Sequence, residues 1–463
     1  MNNAKKYLIA IFAFFVLTMA GIVVTTNILE SQNGIEDGVF SKESLKKVFS
    51  VDKTTIEEQR KASGKETPAN TFLADVDTTY VDDVGDTSGK TVTEGVDTDY
   101  FHASMLTEKD LKIRESYGLD TENIKAVMEE NAGKFCYDLM DESLHQLYAE
   151  ILIATKARAT EVPLCTREPD ELDYAYRCVL NDHPEIFTVN GYTCVRHSAN
   201  DIPVKVAYGA KYTMTSAEES INQAKIDSYT RNYKKGIRET FSDYDKVKYT
   251  YQYLIMNTEY VLDSPENQNI CSVMIYNKSV CLGYAKSMQY LLNEVGVSST
   301  IVEGYAANGD PHAWNMVHIA NAYYFVDVTW GDSSYTNGSS AVKLLSGVNY
   351  DYLNITSDEL SHSHVIDNVV PIPRCVEIRD NYYVKEGLYF DSINANALST
   401  AFKNAIEIES DHITIKCSND TTFQEMKYYL LDKQKVFDYL PEGTETISYG
   451  ENQDLHTLTF LLN

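Results

Sequence analysis

The chain is long and strongly acidic, and both properties narrow its possible functions. Its 463 residues exceed one ordinary hydrophobic core, so we expect two or three folded units and tails. Apolar residues make up 43% of the chain, which suffices for a sizeable core. The formal net charge of −28 argues against nucleic acid as a partner, because phosphates attract Lys and Arg. The chain also lacks a glycine-rich phosphate-binding loop, so we expect no nucleotide cofactor.

The N-terminus carries an apolar segment. Residues 7–24 hold no charge and follow Lys5 and Lys6. This pattern predicts that residues 1–26 are a signal anchor or a cleaved signal peptide, with the basic end in the cytoplasm. We therefore expect a single-pass protein of the cell membrane with an extracytoplasmic body, or a secreted protein if the segment is cleaved.

After the apolar segment the chain is first polar and then, from about residue 106, rich enough in apolar side chains to fold. Residues 27–105 are rich in Asp, Glu, Thr and Ser and poor in large apolar side chains. Such a segment cannot bury enough surface to offset the entropy of ordering, so it predicts a disordered acidic tether. Residues 106–236 have more apolar side chains, and their spacing predicts helices over 122–130 and 137–157, followed by strands.

One helix further along the chain begins with a cysteine. Apolar side chains recur at helical spacing after Leu282, and Gly296 can end the helix. Cys281 therefore lies at a helix N-terminus, where free N–H groups and the helix dipole favour a thiolate. Gly283, in the first turn, allows close approach of a docking backbone. This position makes Cys281 a candidate nucleophile.

A histidine and an aspartate follow on two predicted strands. Residues 313–319 and 323–329 predict a β-hairpin with a two-residue loop. In that register, His312 and Asp327 are diagonal neighbours on one face, whereas a shift of one residue would separate them. An imidazole can activate a thiol, and a carboxylate can orient the imidazole. Cys281, His312 and Asp327 therefore form a candidate catalytic triad.

These residues lie in three runs, VCLGYAKSMQYLL, HAWNMV and YYFVDVTWGD. In this order, across about residues 242–332, the runs resemble the core of the transglutaminase-like superfamily. The resemblance implies a nucleophilic Cys281 that forms a thioester, a His312 that acts as the base and an Asp327 that orients it.

Both tryptophans of the chain, Trp314 and Trp330, lie inside these runs. We interpret them as walls of the site, and together with Gly283 they are the predicted substrate-binding residues. One donor to an oxyanion is expected from the N–H of Cys281. For a second donor, only Tyr276 and Asn277 are candidates.

The predicted fold class is α+β. A papain-like or transglutaminase-like core places the helix that carries the Cys on an antiparallel sheet that carries the His and the Asp, with an N-terminal membrane helix and flanking α+β regions. The predicted units are the signal anchor or signal peptide 1–26, the tether 27–105, an N-terminal α/β accessory region 106–236, the catalytic core 237–350 and a C-terminal α+β region 351–463.

The remaining cysteines and histidines predict no metal site. If Cys281 stays free, at least one more of the eight cysteines is unpaired, although one N-terminal disulfide stays open as an alternative. Cys165, Cys178 and Cys194 lie close in sequence, but no C-x-x-C pair anchors a zinc site. The run Ser-His-Ser-His at 361–364 predicts an exposed loop.

Two functions fit this sequence. The first is an extracytoplasmic enzyme that acts on amide bonds of a protein or peptide substrate through a thioester on Cys281, without a cofactor, and with hydrolysis favoured over transamidation. The second is a cell-surface binding module that keeps the fold without catalysis. The sequence sets no oligomeric state.

Overall fold

The computed structural model describes residues 79–83, 102–199, 202–332 and 347–462. The predicted membrane segment 1–26 lies outside these residues, as does most of the predicted tether. Within the described ranges, none of the helices combines the length and the hydropathy that a membrane span requires.

The N-terminal unit packs helices on a mixed four-stranded sheet. Its elements are α1 (Glu108–Ser116), α2 (Thr121–Asn131), α3 (Phe135–Leu139), α4 (His145–Lys156), α5 (Pro169–Asp182), β1 (Thr79–Asp83), β2 (Val162–Pro163), β3 (Val189–Ala199) and β4 (Ile202–Tyr212). The strand order is β1-β3-β4-β2. One hydrophobic core, which includes the buried rings of Tyr148, Tyr176 and Tyr208, joins α4 and α5 to β4. Apart from β1, these elements lie within the predicted accessory region 106–236.

Two predictions for this unit are corrected. The helix predicted over 137–157 is two helices, α3 and α4, because Met140 is extended and Asp141 accepts a hydrogen bond from the Ser143 N–H at 2.9 Å. β1 lies inside the predicted tether 27–105, yet it pairs in parallel with Thr193–His197 of β3. An open strand edge offers backbone hydrogen bonds that composition alone does not reveal.

The central unit is built from helices on one face of a five-stranded antiparallel sheet. Its elements are α6 (Ser216–Lys234), α7 (Asp243–Asn257), β5 (Glu259–Tyr260), α8 (Ile270–Met274), β6 (Lys278–Ser279), α9 (Cys281–Asn293), β7 (Ser299–Ala306), β8 (Pro311–Ile319), β9 (Ala322–Val326), α10 (Val328–Gly331), β10 (Leu353–Ile355), α11 (Ser357–Leu360) and β11 (His364–Ile366). The order of the sheet is β10-β9-β8-β7-β11. β10 and β11 lie beyond residue 350, so the sheet extends past the predicted limit of the core.

The β8–β9 hairpin has the predicted register. Ile319 pairs with Ala322, and Asn315 pairs with Val326. Ala320, in the two-residue loop, has a φ of +53°. Alternate side chains of β8 therefore face opposite sides of the sheet: Val317 packs with the helices, whereas Trp314 lies in the core on the far side.

α9 crosses the near face of this sheet. It packs against β7 and β8, and its residues Leu282 and Ala285 contact the apolar cluster that contains Ala313. The helix ends before Gly296, whose φ of +77° is the left-handed conformation expected at a helix end. The prediction of a helix that begins at Cys281 is confirmed.

Buried polar contacts join α5 of the N-terminal unit to α9 and β7. The Asn181 amide donates to the Ile301 carbonyl at 3.3 Å and accepts from the Thr300 hydroxyl at 2.9 Å. The Gln289 amide of α9 donates to the Asn181 carbonyl at 2.9 Å. The accessory region and the central unit are thus hydrogen-bonded through one asparagine.

The C-terminal unit has its own sheet and core. Its elements are α12 (Tyr382–Lys385), β12 (Tyr389–Phe390), α13 (Ala395–Glu407), β13 (His412–Cys417), α14 (Asp420–Lys427), β14 (Tyr449–Asn452) and β15 (Thr457–Leu461). The strand order is β12-β13-β15-β14. Phe402, Phe423 and Phe460 are fully buried between the helices and this sheet. The overall class is α+β, as predicted.

Candidate active site

Cys281 is the first residue of α9 and follows Val280, which is extended at the N-cap position. It is 9% exposed. A Cβ at Gly283, two residues further, would collide with the hydroxyls of Ser279 and Ser272. The helix can begin here only because residue 283 has no side chain. Gly283 therefore faces buried serine side chains of the protein. Its contact with substrate stays a prediction.

Two polar side chains hold α9 in place next to the sheet. The Asn315 amide of β8 donates to the Ala285 carbonyl of α9 at 2.9 Å. The Tyr284 hydroxyl donates to Asp332, just after α10, at 2.9 Å. His312 lies three residues before Asn315 on β8. The same strand therefore carries the candidate base and a side chain that hydrogen-bonds to α9, the helix that begins with Cys281.

His312 and Asp327 form a buried pair. Nε2 of His312 lies 2.7 Å from Oδ2 of Asp327, and the two residues are 3% and 1% exposed. Oδ1 of Asp327 accepts from the Trp330 N–H at 3.0 Å, because Asp327 also caps the short helix α10. His312 and Asp327 are neighbours, as predicted, but the predicted strand 323–329 is too long: β9 ends at Val326, and Asp327 lies just beyond it.

This pairing fixes the charge of both groups. Burial alone would lower the pKa of His312, but the charge of Asp327, its hydrogen bond and a contact with the Cys281 thiol raise that pKa to about 10. Burial alone would raise the pKa of Asp327, but His312 and then His364 hold it well below its usual value. At neutral pH the pair is therefore an imidazolium and a carboxylate. Nε2 of His312 faces Asp327, which leaves Nδ1 for the thiol.

A second histidine, which sequence reasoning placed in an exposed loop, binds the same carboxylate. His364 is 4% exposed, and its Nε2 lies 3.0 Å from Oδ2 of Asp327. The prediction of an exposed run at 361–364 is therefore wrong for His364. This residue begins β11, which pairs with β7 through His364 and Ala306 and so returns the chain to the site.

Aromatic rings enclose the two imidazoles. The ring centroid of Trp314 lies 5.9 Å from that of His312 and 4.8 Å from that of His364. The ring of Trp330 lies 4.6 Å from His364, and that of Tyr352 lies 5.9 Å from it. These rings separate the imidazole pair from solvent. Trp314 is only 1% exposed, so it forms an inner wall, and its predicted contact with substrate stays a prediction.

One cluster of possible metal ligands exists among the described residues, and it is His312, Asp327 and His364. Both Nε2 atoms already bond to Asp327 at 2.7 and 3.0 Å, so hydrogen bonds account for this arrangement without an ion. All eight cysteines lie in described segments, and no disulfide joins them.

The sequence and the structure were compared with known proteins. Residues 231–330 match the model of a family described as the transglutaminase-like superfamily. A search of curated proteins finds no match. Several solved structures also resemble part of the chain, three of them as follows. One is a TGase, with 17% identity, a TM-score of 0.23 and coverage of 30% of this chain and 44% of that one.

The other two are described as candidate proteases. A cysteine protease candidate from Cytophaga hutchinsonii has 15% identity and a TM-score of 0.20, and the match covers 28% of this chain and 55% of that one. A protease candidate from Parabacteroides distasonis has 7% identity and a TM-score of 0.19, with 29% and 39% covered. This chain thus spans about half or less of each of the three structures. The segment that matches the family carries the three candidate catalytic residues, so this part of the chain is similar to the transglutaminase-like superfamily.

Proposed function

We propose that this protein is a cysteine enzyme that acts on amide bonds of proteins or peptides through a thioester on Cys281. One observation carries the proposal: the thiol at the start of α9 contacts a buried His312 whose other nitrogen is bound to Asp327 at 2.7 Å. This is the arrangement that nucleophilic catalysis by a thiolate requires.

In the first half-reaction, Cys281 has given its thiol proton to His312, and the resulting thiolate attacks the carbonyl carbon of a side-chain or main-chain amide. The carbonyl oxygen becomes negative, and the N–H of Cys281 at the helix N-terminus is one candidate donor to it. His312, held as the imidazolium by Asp327, gives its proton to the leaving amine. The C–N bond then breaks, and an acyl thioester on Cys281 remains.

In the second half-reaction, the neutral His312 takes a proton from water or from a primary amine as either attacks the thioester. The C–S bond then breaks, and Cys281 leaves as the thiolate beside the imidazolium of His312. Water gives hydrolysis, and an amine gives transamidation. Cleft shape and water access decide between them, rather than the triad. We favour hydrolysis, because none of the described residues in the triad motifs supplies a binding site for a lysine side chain.

The test uses purified protein, a glutamine-bearing protein substrate and a labelled primary amine. Cleavage or deamidation that is lost in Cys281→Ala but kept in Cys271→Ala, a matched buried cysteine, would support the hydrolase. Cysteine-dependent incorporation of the amine would overturn the preference for hydrolysis. If neither product forms and iodoacetamide labels Cys281 no faster than the other seven cysteines, the non-catalytic binding module becomes the better interpretation.

We also propose that the folded body lies outside the cytoplasm. The support is the charge asymmetry around residues 7–24, with Lys5 and Lys6 before the apolar run and an acidic segment after it. Protease added to intact cells should release a soluble body by cutting within residues 27–105. Full protection of the protein in those cells would contradict this topology.

A further inference from the structure

We propose that His364 is a positioning residue that fixes the Asp327 carboxylate against His312 and thereby supports the reactivity of Cys281. The inference rests on the proposed function and extends the triad by one side chain. Sequence reasoning did not assign any role in the site to this histidine.

The hydrogen bonds around His364 have a definite direction. Oδ2 of an ionised Asp327 can only accept, so the Nε2 atoms of His312 and His364 both donate to it. Nδ1 of His364 lies 2.8 Å from the Ser363 hydroxyl. Burial lowers the pKa of His364, so its ring is neutral and Nδ1 accepts from that hydroxyl. The chain of donors therefore runs from Ser363 to His364 and ends on Asp327.

These contacts fix the carboxylate in one orientation. One oxygen receives the two imidazole N–H groups, and the other receives the backbone N–H of Trp330 at 3.0 Å. Rotation of the carboxylate would break a charge-assisted hydrogen bond in a buried site, where an unmet donor is costly. Without the bond from His364, Asp327 could turn away from His312 while the backbone stays in place.

His364 also packs among aromatic rings, and that contact gives a competing, purely structural role. Trp314, Trp330 and Tyr352 all lie within 6 Å of its ring, measured between centroids. The groups that face its ring nitrogens are Asp327, the neighbouring His312, the Ser363 hydroxyl and the backbone carbonyl of Leu360. The experiment must therefore separate the N–H donor from the ring.

Two substitutions make this separation. His364→Gln keeps an N–H donor close to the position of Nε2 but removes the ring, whereas His364→Phe keeps a ring and removes the donor. We measure the rate of Cys281 alkylation by iodoacetamide from pH 5 to 10, and the low-field NMR resonance of the proton between His312 and Asp327. Neither readout needs a substrate, so both remain informative if no amide is turned over.

We expect His364→Phe to slow alkylation about ten- to a hundredfold and to shift or broaden the low-field resonance, which is the effect of losing a hydrogen bond to a charged group. His364→Gln should stay within a few-fold of wild type. The opposite order, or two variants that both match wild type, would overturn the proposal. If neither variant folds, Ser363→Ala decides. Without the Ser363 hydroxyl, Nδ1 of His364 is no longer held as an acceptor, so Nε2 can lose the proton that it donates to Asp327. Slower alkylation then supports the proposal, and an unchanged rate refutes it.

Discussion

The substitution Asp327→Asn tests the central pair of the site. It preserves side-chain volume, so it opens no cavity, and an amide oxygen can still accept from the Trp330 N–H. What it removes is the negative charge beside His312. The pKa of His312 should then fall from about 10 to its ordinary 6.5 or lower, because burial lowers it once the carboxylate is gone.

The size of the effect follows from that pKa. Each tenfold change in an acidity constant corresponds to about 1.4 kcal/mol, so a rise from 6.5 to about 10 stabilises the imidazolium by about 5 kcal/mol. Without this charge the imidazole can also adopt the wrong tautomer, and kcat should decrease by about 10³- to 10⁴-fold, which is the typical cost of that change in a triad.

The assay is kcat on the amide substrate, with circular dichroism and urea unfolding as controls for the fold. His318→Gln is a matched control, since His318 lies on the same strand and stacks on Tyr323 rather than on the site. A folded Asp327→Asn enzyme with nearly wild-type kcat would refute the reasoning. An unfolded variant would show instead that Asp327 is a structural carboxylate.

Three further predictions concern the thiol, the pH dependence and the start of α9. His312→Ala should slow alkylation of Cys281 near pH 7, and an unchanged rate and pH profile would contradict an ion pair. The free energy of unfolding should be highest between about pH 4 and 6.5: the lowered pKa of Asp327 contributes above its usual value, and the raised pKa of His312 contributes below 6.5 and is lost as the pH rises to about 10. Between about pH 6.5 and 8, urea titrations should show a slope of up to about 1.4 kcal/mol per pH unit that His312→Gln removes, whereas the buried cysteines with raised pKa values add a further slope at higher pH. Gly283→Ala should destabilise the protein by about 1–3 kcal/mol, because its methyl group meets two buried hydroxyls, and a variant of wild-type stability would show that the first turn can shift.

The hairpin of the site could be predicted from the sequence because two local rules agree there. Alternation assigns one face of each strand, and a two-residue loop sets the register, so His312 and Asp327 had to meet. The start of α9 was likewise predictable, since the apolar spacing after Leu282 fixes which residues are helical. Both features depend only on residues close in the chain.

His364 could not be found by the same rules. Its strand, β11, has three residues, which is too short for alternation to be visible, and its partner strand β7 lies almost sixty residues earlier. The polar neighbours of His364 then suggest a loop. β1 was missed for a similar reason, because an edge strand gains its hydrogen bonds from a distant partner and not from its own composition.

The hydrogen bonds of Asn181 also bear on how this protein could be cut or recombined. Thr300 and Gln289, both in the segment that the family model matches, each make a buried hydrogen bond to Asn181 of the accessory region. The matched segment therefore packs on residues that precede it in the chain. A fragment that begins at residue 231 would expose this side of α9 and exchange these hydrogen bonds for water, so it should be less stable than a fragment that keeps α5. A transfer of the candidate catalytic motifs into another chain would need to carry that upstream support with them.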